Sequence, residues 1–143
     1  MKINYNKYLH KNLINVLKDV LLDVQTHGLK EGHHLYISFL TTDSEIVISK
    51  ILKQQFPKEM TIVIQYEYWN LKIKKDLFEI CLSFNNIREN LIIPFNSVIS
   101  FADPYADFGL KLLHKVDTSD DNKTDIKNEI KDNVINFNNF RKD

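Results

Sequence analysis

The sequence predicts a mainly β domain, α+β by content, in which antiparallel strands follow one long N-terminal helix and precede a flexible polar C-terminal tail. Three observations predict it. Residues 60–108 hold several strand-like apolar runs in succession, together with the sole Trp, the sole Cys and two of the three Pro. Residues 6–27 carry a helical apolar period. Beyond residue 113 the composition turns polar and mixed in charge. At 143 residues the chain fits one domain with an appendage. A hydrophobic share of 43% with 11% aromatics is enough for a real core.

In the first element Leu9, Leu13, Val16, Leu17, Val20, Leu21 and Val24 recur at spacings of three and four, which puts them on one helix face. Ile14 and Leu22 widen that face, and Gly28 follows as a C-terminal residue able to take positive φ. So wide a face serves core packing alone, or core packing plus contact with a second copy. The residues by themselves leave both open.

Leu35, Ile37 and Phe39 alternate with Tyr36, Ser38 and Leu40, the pattern of a strand. Residues 46–48 are short and β-branched, and Ser49 is placed to cap a short helix that Pro57 ends. Residues 60–66 predict a strand with Met60, Ile62, Ile64 and Tyr66 on one face. Residues 69–73 continue the sheet, and 74–76 form a hairpin turn. In 77–84, Phe78, Ile80, Leu82 and Phe84 look inward while Glu79, Cys81 and Ser83 look outward. Asn85-Asn86 predicts a tight turn, since Asn tolerates positive φ. Residues 91–93, cut by Pro94, and 98–101 complete the set. Strands this close in sequence favour meander pairing in a small barrel or sandwich.

Composition narrows the function classes. Lys plus Arg and Asp plus Glu number 19 each, a balance that argues against a general nucleic-acid binder. One Cys excludes an intramolecular disulfide and a multi-Cys zinc site, and fits a reducing compartment. The first twelve residues lack the apolar stretch of a signal peptide, and no run approaches the ~18 apolar residues of a membrane-spanning helix. The expectation is a soluble cytoplasmic protein away from membranes.

The chain carries no HExxH, no Gly-rich phosphate loop and no Ser nucleophile elbow. Cys81 has no signature that would set a base beside it. His33 and His34 are adjacent, so in an extended segment their rings diverge, and a shared metal is not expected. Asp103 and Asp107, around Pro104, read as turn and cap residues. Neither catalysis nor a cofactor is expected. Two binding readings remain. Tyr66, Tyr68 and Trp69 are aromatics of the kind that Sm-, SH3- or OB-type barrels use on RNA, but Lys72, Lys74 and Lys75 are offset by Asp76 and Glu79. The other reading is an extended peptide lying along a sheet edge or groove, for which the outward Gln65, Cys81 and Ser83 are suited.

Residues 117–133 cannot bury enough apolar surface to offset ordering and are expected to be mobile. Apolar residues return at Val134, Ile135, Phe137 and Phe140, closed by Arg141 and Lys142. A tethered docking motif has this pattern, as does a frayed end or a last strand that folds back.

The segments FPKEMTIVIQYEYWNLKI and FEICLSFNNIRENLIIPFNSVISFADPYADFGL resemble the stringent starvation protein B (SspB) family, its alphaproteobacterial branch in particular. The specific features are P-x-E-M-T-I-V-x-Q, the L-S-F hairpin and the I-P-F … F-A-D-P … F-G-L ending; the last segment, VINFNNFRKD, resembles the family's C-terminal docking motif. The resemblance implies a non-catalytic adaptor, without cofactor or metal, that binds the ssrA degradation tag and tethers tagged proteins to the ClpXP protease. It implies a small Sm- or SH3-like open barrel or sandwich over residues 1–114, a linker over 115–133, and a motif for the ClpX N-terminal domain over 134–143, carried by the six apolar and basic residues just named. Tag binding falls on Gln65, Tyr66, Glu67 and Tyr68, on Cys81, Leu82 and Ser83, and more loosely on Phe39 and Thr41. A homodimer through the N-terminal helix would use Leu9, Leu13, Leu17 and Val20. The chain departs from many relatives in having Asn85-Asn86 where they have Gly-Gly, and in a short, charge-balanced linker. The Sm-like RNA-binding module stands as the alternative.

Overall fold

A computed structural model describes residues 2–112. Helix α1 (Tyr5–His27) starts where Asn4 accepts a hydrogen bond from the Lys7 N–H, and it stops at Gly28, whose φ of 76° suits a residue without Cβ. The Gly28 N–H closes the last turn on the Val24 carbonyl at 2.7 Å. Seven strands follow: β1 (Leu35–Leu40), β2 (Glu59–Ile64), β3 (Tyr68–Ile73), β4 (Leu77–Phe84), β5 (Ile87–Pro94), β6 (Val98–Asp103) and β7 (Phe108–Lys111). A short helix, α2 (Lys50–Gln55), sits between β1 and β2, capped by Ser49 as its sequence predicts.

The strands form two open antiparallel sheets, of four strands in the order β2-β1-β6-β7 and three in the order β3-β4-β5. Their apolar faces and α1 share one core. Leu17, Leu21 and Val24 of α1 meet Leu35, Ile37 and Phe39, Ile62 and Ile64, Phe78 and Ile80, and Leu91 and Ile93. Period-two burial in β1 and β2 follows the sequence alternation directly.

Three features differ from the expected meander. The chain leaves the three-stranded sheet at Pro94, which brings no N–H to a ladder. A 3-10 turn (Phe95–Ser97) then redirects it, with Ser97 Oγ donating to the Pro94 carbonyl at 2.7 Å, so that β6 pairs with β1. A seventh strand, only four residues long, adds to β6. Residues 46–48 supply one bridge, Val47 to Ile92, on the free side of β5. The β4–β5 turn is as predicted: Asn85 and Asn86 have φ of 53° and 68°, the two positive values of a type I′ hairpin.

Candidate functional site

The outer face of the three-stranded sheet is where the predicted outward residues gather. The pairing sets Trp69 beside Cys81 and Cys81 beside Asn90, with Ser83 opposite Arg88 in the next row. Directly paired residues share a face, so Trp69, Cys81, Ser83, Arg88 and Asn90 all stand on the side away from the core. The β3–β4 register breaks between Trp69 and Lys72, where Asn70 takes φ of 54°. The extra residue lets Trp69 stay outside while Leu71 turns into the core.

Residues 65–67 cross from β2 to β3. The Tyr68–Leu82 pair sets this crossing at the end of β4 that carries Ser83. Gln65 is half-buried, Tyr66 is 78% exposed and Glu67 is exposed. The expected strand over 60–66 ends at Ile64, so Tyr66 does not join Met60, Ile62 and Ile64 on the core face. Tyr68 packs partly against the core.

The other predicted tag residues have different surroundings. Phe39 and Leu82 are core side chains, 0% and 4% exposed. Thr41 is 1% exposed, and its hydroxyl donates to the Phe56 carbonyl at 2.6 Å. Its own carbonyl takes the Lys53 ammonium. Thr41 therefore fastens α2 to the end of β1. Phe39 lies opposite Met60, whereas Leu35 lies opposite Ile64. Four residues of strand, roughly 13 Å, thus separate Phe39 from the end of β1 where residues 65–67 begin. These three side chains have no surface to give a peptide. Cys81 points away from the core cluster yet is only 6% exposed, so its thiol is shielded on the outer face.

On α1, Leu17 is 0% exposed and is used up by the core of its own chain. Leu9, Leu13 and Val20 keep partial exposure. Tyr5, Tyr8, Val16 and Leu22 leave further apolar surface open along the helix, at 55%, 57%, 38% and 44%. The predicted docking residues 134–143 lie outside the described residues.

Sequence reading missed one contact, between His33 and Asp103, whose Nδ1 and Oδ2 stand 2.7 Å apart. They are 70 positions apart in the chain, so no local pattern signals them. Asp103 lines a concavity of about 770 Å³ between the end of α1 and the start of β1, with Asp19, Asp23, His27, Lys30 and His33. Its lining holds no hydroxyl or thiol side chain beside its two His–Asp pairs. Among the described residues no three His, Cys, Asp or Glu converge as a metal site. No helix there is long and apolar enough to cross a membrane.

A family model described as stringent starvation protein B matches residues 7–140. No curated protein matches the chain.

Proposed function

This chain belongs to the stringent starvation protein B family, whose members are adaptors of the ClpXP protease, and on that premise we propose that it delivers ssrA-tagged proteins to ClpXP. The observation that supports this reading is the extent of the match, which runs through the folded body and on into the C-terminal segment. An adaptor needs both parts. The body holds the tag as an extended peptide by residues 65–68 and the outer face of β4. Exposed Tyr66 and Glu67 and half-buried Gln65, Tyr68 and Ser83 supply side-chain contacts there. Phe39, Thr41 and Leu82 shape the sheet beneath.

The chemistry is tethering. Residues 134–143 dock on the ClpX N-terminal domain, and the linker keeps the bound substrate near the pore. Delivery then becomes effectively intramolecular, and the local substrate concentration rises without any catalytic step by the adaptor. As a flexible coil, residues 117–133 would span roughly 20–25 Å. Dimerisation through α1, by Leu9, Leu13 and Val20, gives two tags and two tails per assembly, in the cytoplasm where ClpXP works.

The test is ClpXP degradation of an ssrA-tagged fluorescent reporter at a concentration below its KM. The full chain should accelerate degradation, and deletion of residues 134–143 should abolish the acceleration while leaving tag binding unchanged. Loss of tag binding on deletion would contradict a separate docking motif.

A further inference from the structure

The outer face of the three-stranded sheet carries a side-chain pair that links non-neighbouring strands. Cζ of Arg88, on β5, lies 3.8 Å from the centre of the Trp69 ring, on β3. Strand β4 runs between them. The two side chains therefore span two strand spacings, roughly 10 Å, over β4 at Cys81 and Ser83. This crossing accounts for a thiol that points away from the core and yet is buried.

A guanidinium stacked on an indole spends its flat face on the ring. Its N–H donors lie in the plane and project past the ring edge. Among the described residues no carboxylate takes them: the ion pairs there are His27 with Asp23, His33 with Asp103 and Lys74 with Glu79. Glu89, next in sequence, alternates to the other face of β5 and accepts from Ser49 Oγ. Arg88 is thus an exposed cation, oriented by a ring, beside the polar Ser83 and Asn90.

We propose that Arg88, held flat by Trp69, reads an acidic side chain of the bound peptide, so that an Asp or Glu carboxylate seats in the guanidinium fork as the peptide lies across β4. This rests on the tag-binding reading above and adds to it a specificity-determining residue. The charge pattern favours an acidic peptide over a nucleic acid. One oriented cation suits one carboxylate, whereas a phosphodiester backbone needs a row of cations. The next cation on this face, Lys72, stands opposite Glu79 in register, and that carboxylate is held by Lys74 at 3.1 Å.

The test uses the full chain and a labelled ssrA-tag peptide that contains Asp and Glu, alongside a copy with those residues changed to their amides. Fluorescence anisotropy gives both affinities, for the natural chain and for Arg88→Gln. Trp69 is the sole Trp, so its emission reports occupancy with unlabelled peptide. Either change alone should weaken binding about tenfold, the usual size for one charge-assisted hydrogen bond, and the two together should cost no more than one. The tag peptide should also shift Trp69 emission. Tight tag binding that is indifferent to Arg88→Gln overturns the subsite and leaves the adaptor reading standing. No binding of the tag peptide by the natural chain overturns both. Quenching of Trp69 by an oligouridylate, with displacement of the peptide, overturns the subsite in favour of RNA.

Discussion

His33 Nδ1 lies 2.7 Å from Asp103 Oδ2, tying the segment before β1 to the end of β6. Tyr105 meets the His33 ring edge to face at 4.7 Å between centroids and lies 3.0 Å from where a Cβ on Gly32 would stand. Gly32 has φ of 89°, so both the backbone and the ring favour glycine there. The pair is mostly shielded, with side-chain exposures of 29% and 13%, and Asp103 Oδ1 is buried with no hydrogen-bond partner. His33→Ala would leave the carboxylate without its shielded partner. It should cost about 1–3 kcal/mol, read as a lower urea midpoint with an unchanged slope. An unchanged midpoint would mean that the contact is not maintained in solution.

The Asn85-Asn86 turn gives a prediction of the opposite sign. Both residues hold positive φ, and the second position of a type I′ turn favours glycine. Asn86→Gly should be neutral or stabilising by up to ~1 kcal/mol, whereas Asn86→Val should be clearly destabilising, because a β-branched residue resists that conformation. Thermal denaturation of the three proteins ranks them. Equal stability of the Val variant would show that the hairpin closes by a different turn.

Most of the fold was legible where one local force dominates. The stop of α1 at Gly28, the Ser49 cap, the β1 alternation and the Asn85-Asn86 turn all depend on residues within a few positions of each other. The return of β6 to β1 was not legible, because strand pairing across some 60 residues leaves no periodic trace. Strand β7 was too short to show a period. At the candidate site, alternation put Cys81 and Ser83 on the outer face, and the pairing agrees. Alternation cannot tell outward from exposed, and the Trp69–Arg88 crossing makes that difference at Cys81. Phe39 and Thr41 came from resemblance alone, and their burial is a property of the assembled core and the α2 junction.

On α1, stability and assembly are separable. Leu17→Ala removes a fully buried side chain and should cost about 2–5 kcal/mol, the usual range for a core truncation to alanine. Leu9→Asp acts on a partly exposed position about two turns before Leu17, outside the buried core cluster. It should leave the unfolding midpoint of the monomer nearly unchanged while shifting the protein from dimer to monomer in light scattering. A Leu9→Asp protein that stays dimeric would place the interface on another part of the chain.

His10 should make the folded state sensitive to acid. Burial holds its imidazole below the ordinary value of 6.5, and its Nε2 is enclosed without a hydrogen-bond partner. The folded protein therefore binds a proton at His10 less readily than the unfolded chain does. As pH falls through 6.5, the unfolded chain is protonated first and unfolding is favoured. The loss grows until pH passes below the depressed folded value, and then levels off. Above the unfolded value both states are neutral at this position, and His10 contributes no pH dependence. His10→Gln keeps a polar side chain but cannot take up the proton. Thermal midpoints of the natural chain and the variant, compared between about pH 7.5 and 5.5, should diverge as the medium becomes acidic, with the natural chain falling faster. The two proteins differ at this one position, so the difference between the two curves isolates His10. Parallel curves would show that its ring reaches solvent when the proton arrives, as a loosening of the first turns of α1 would allow.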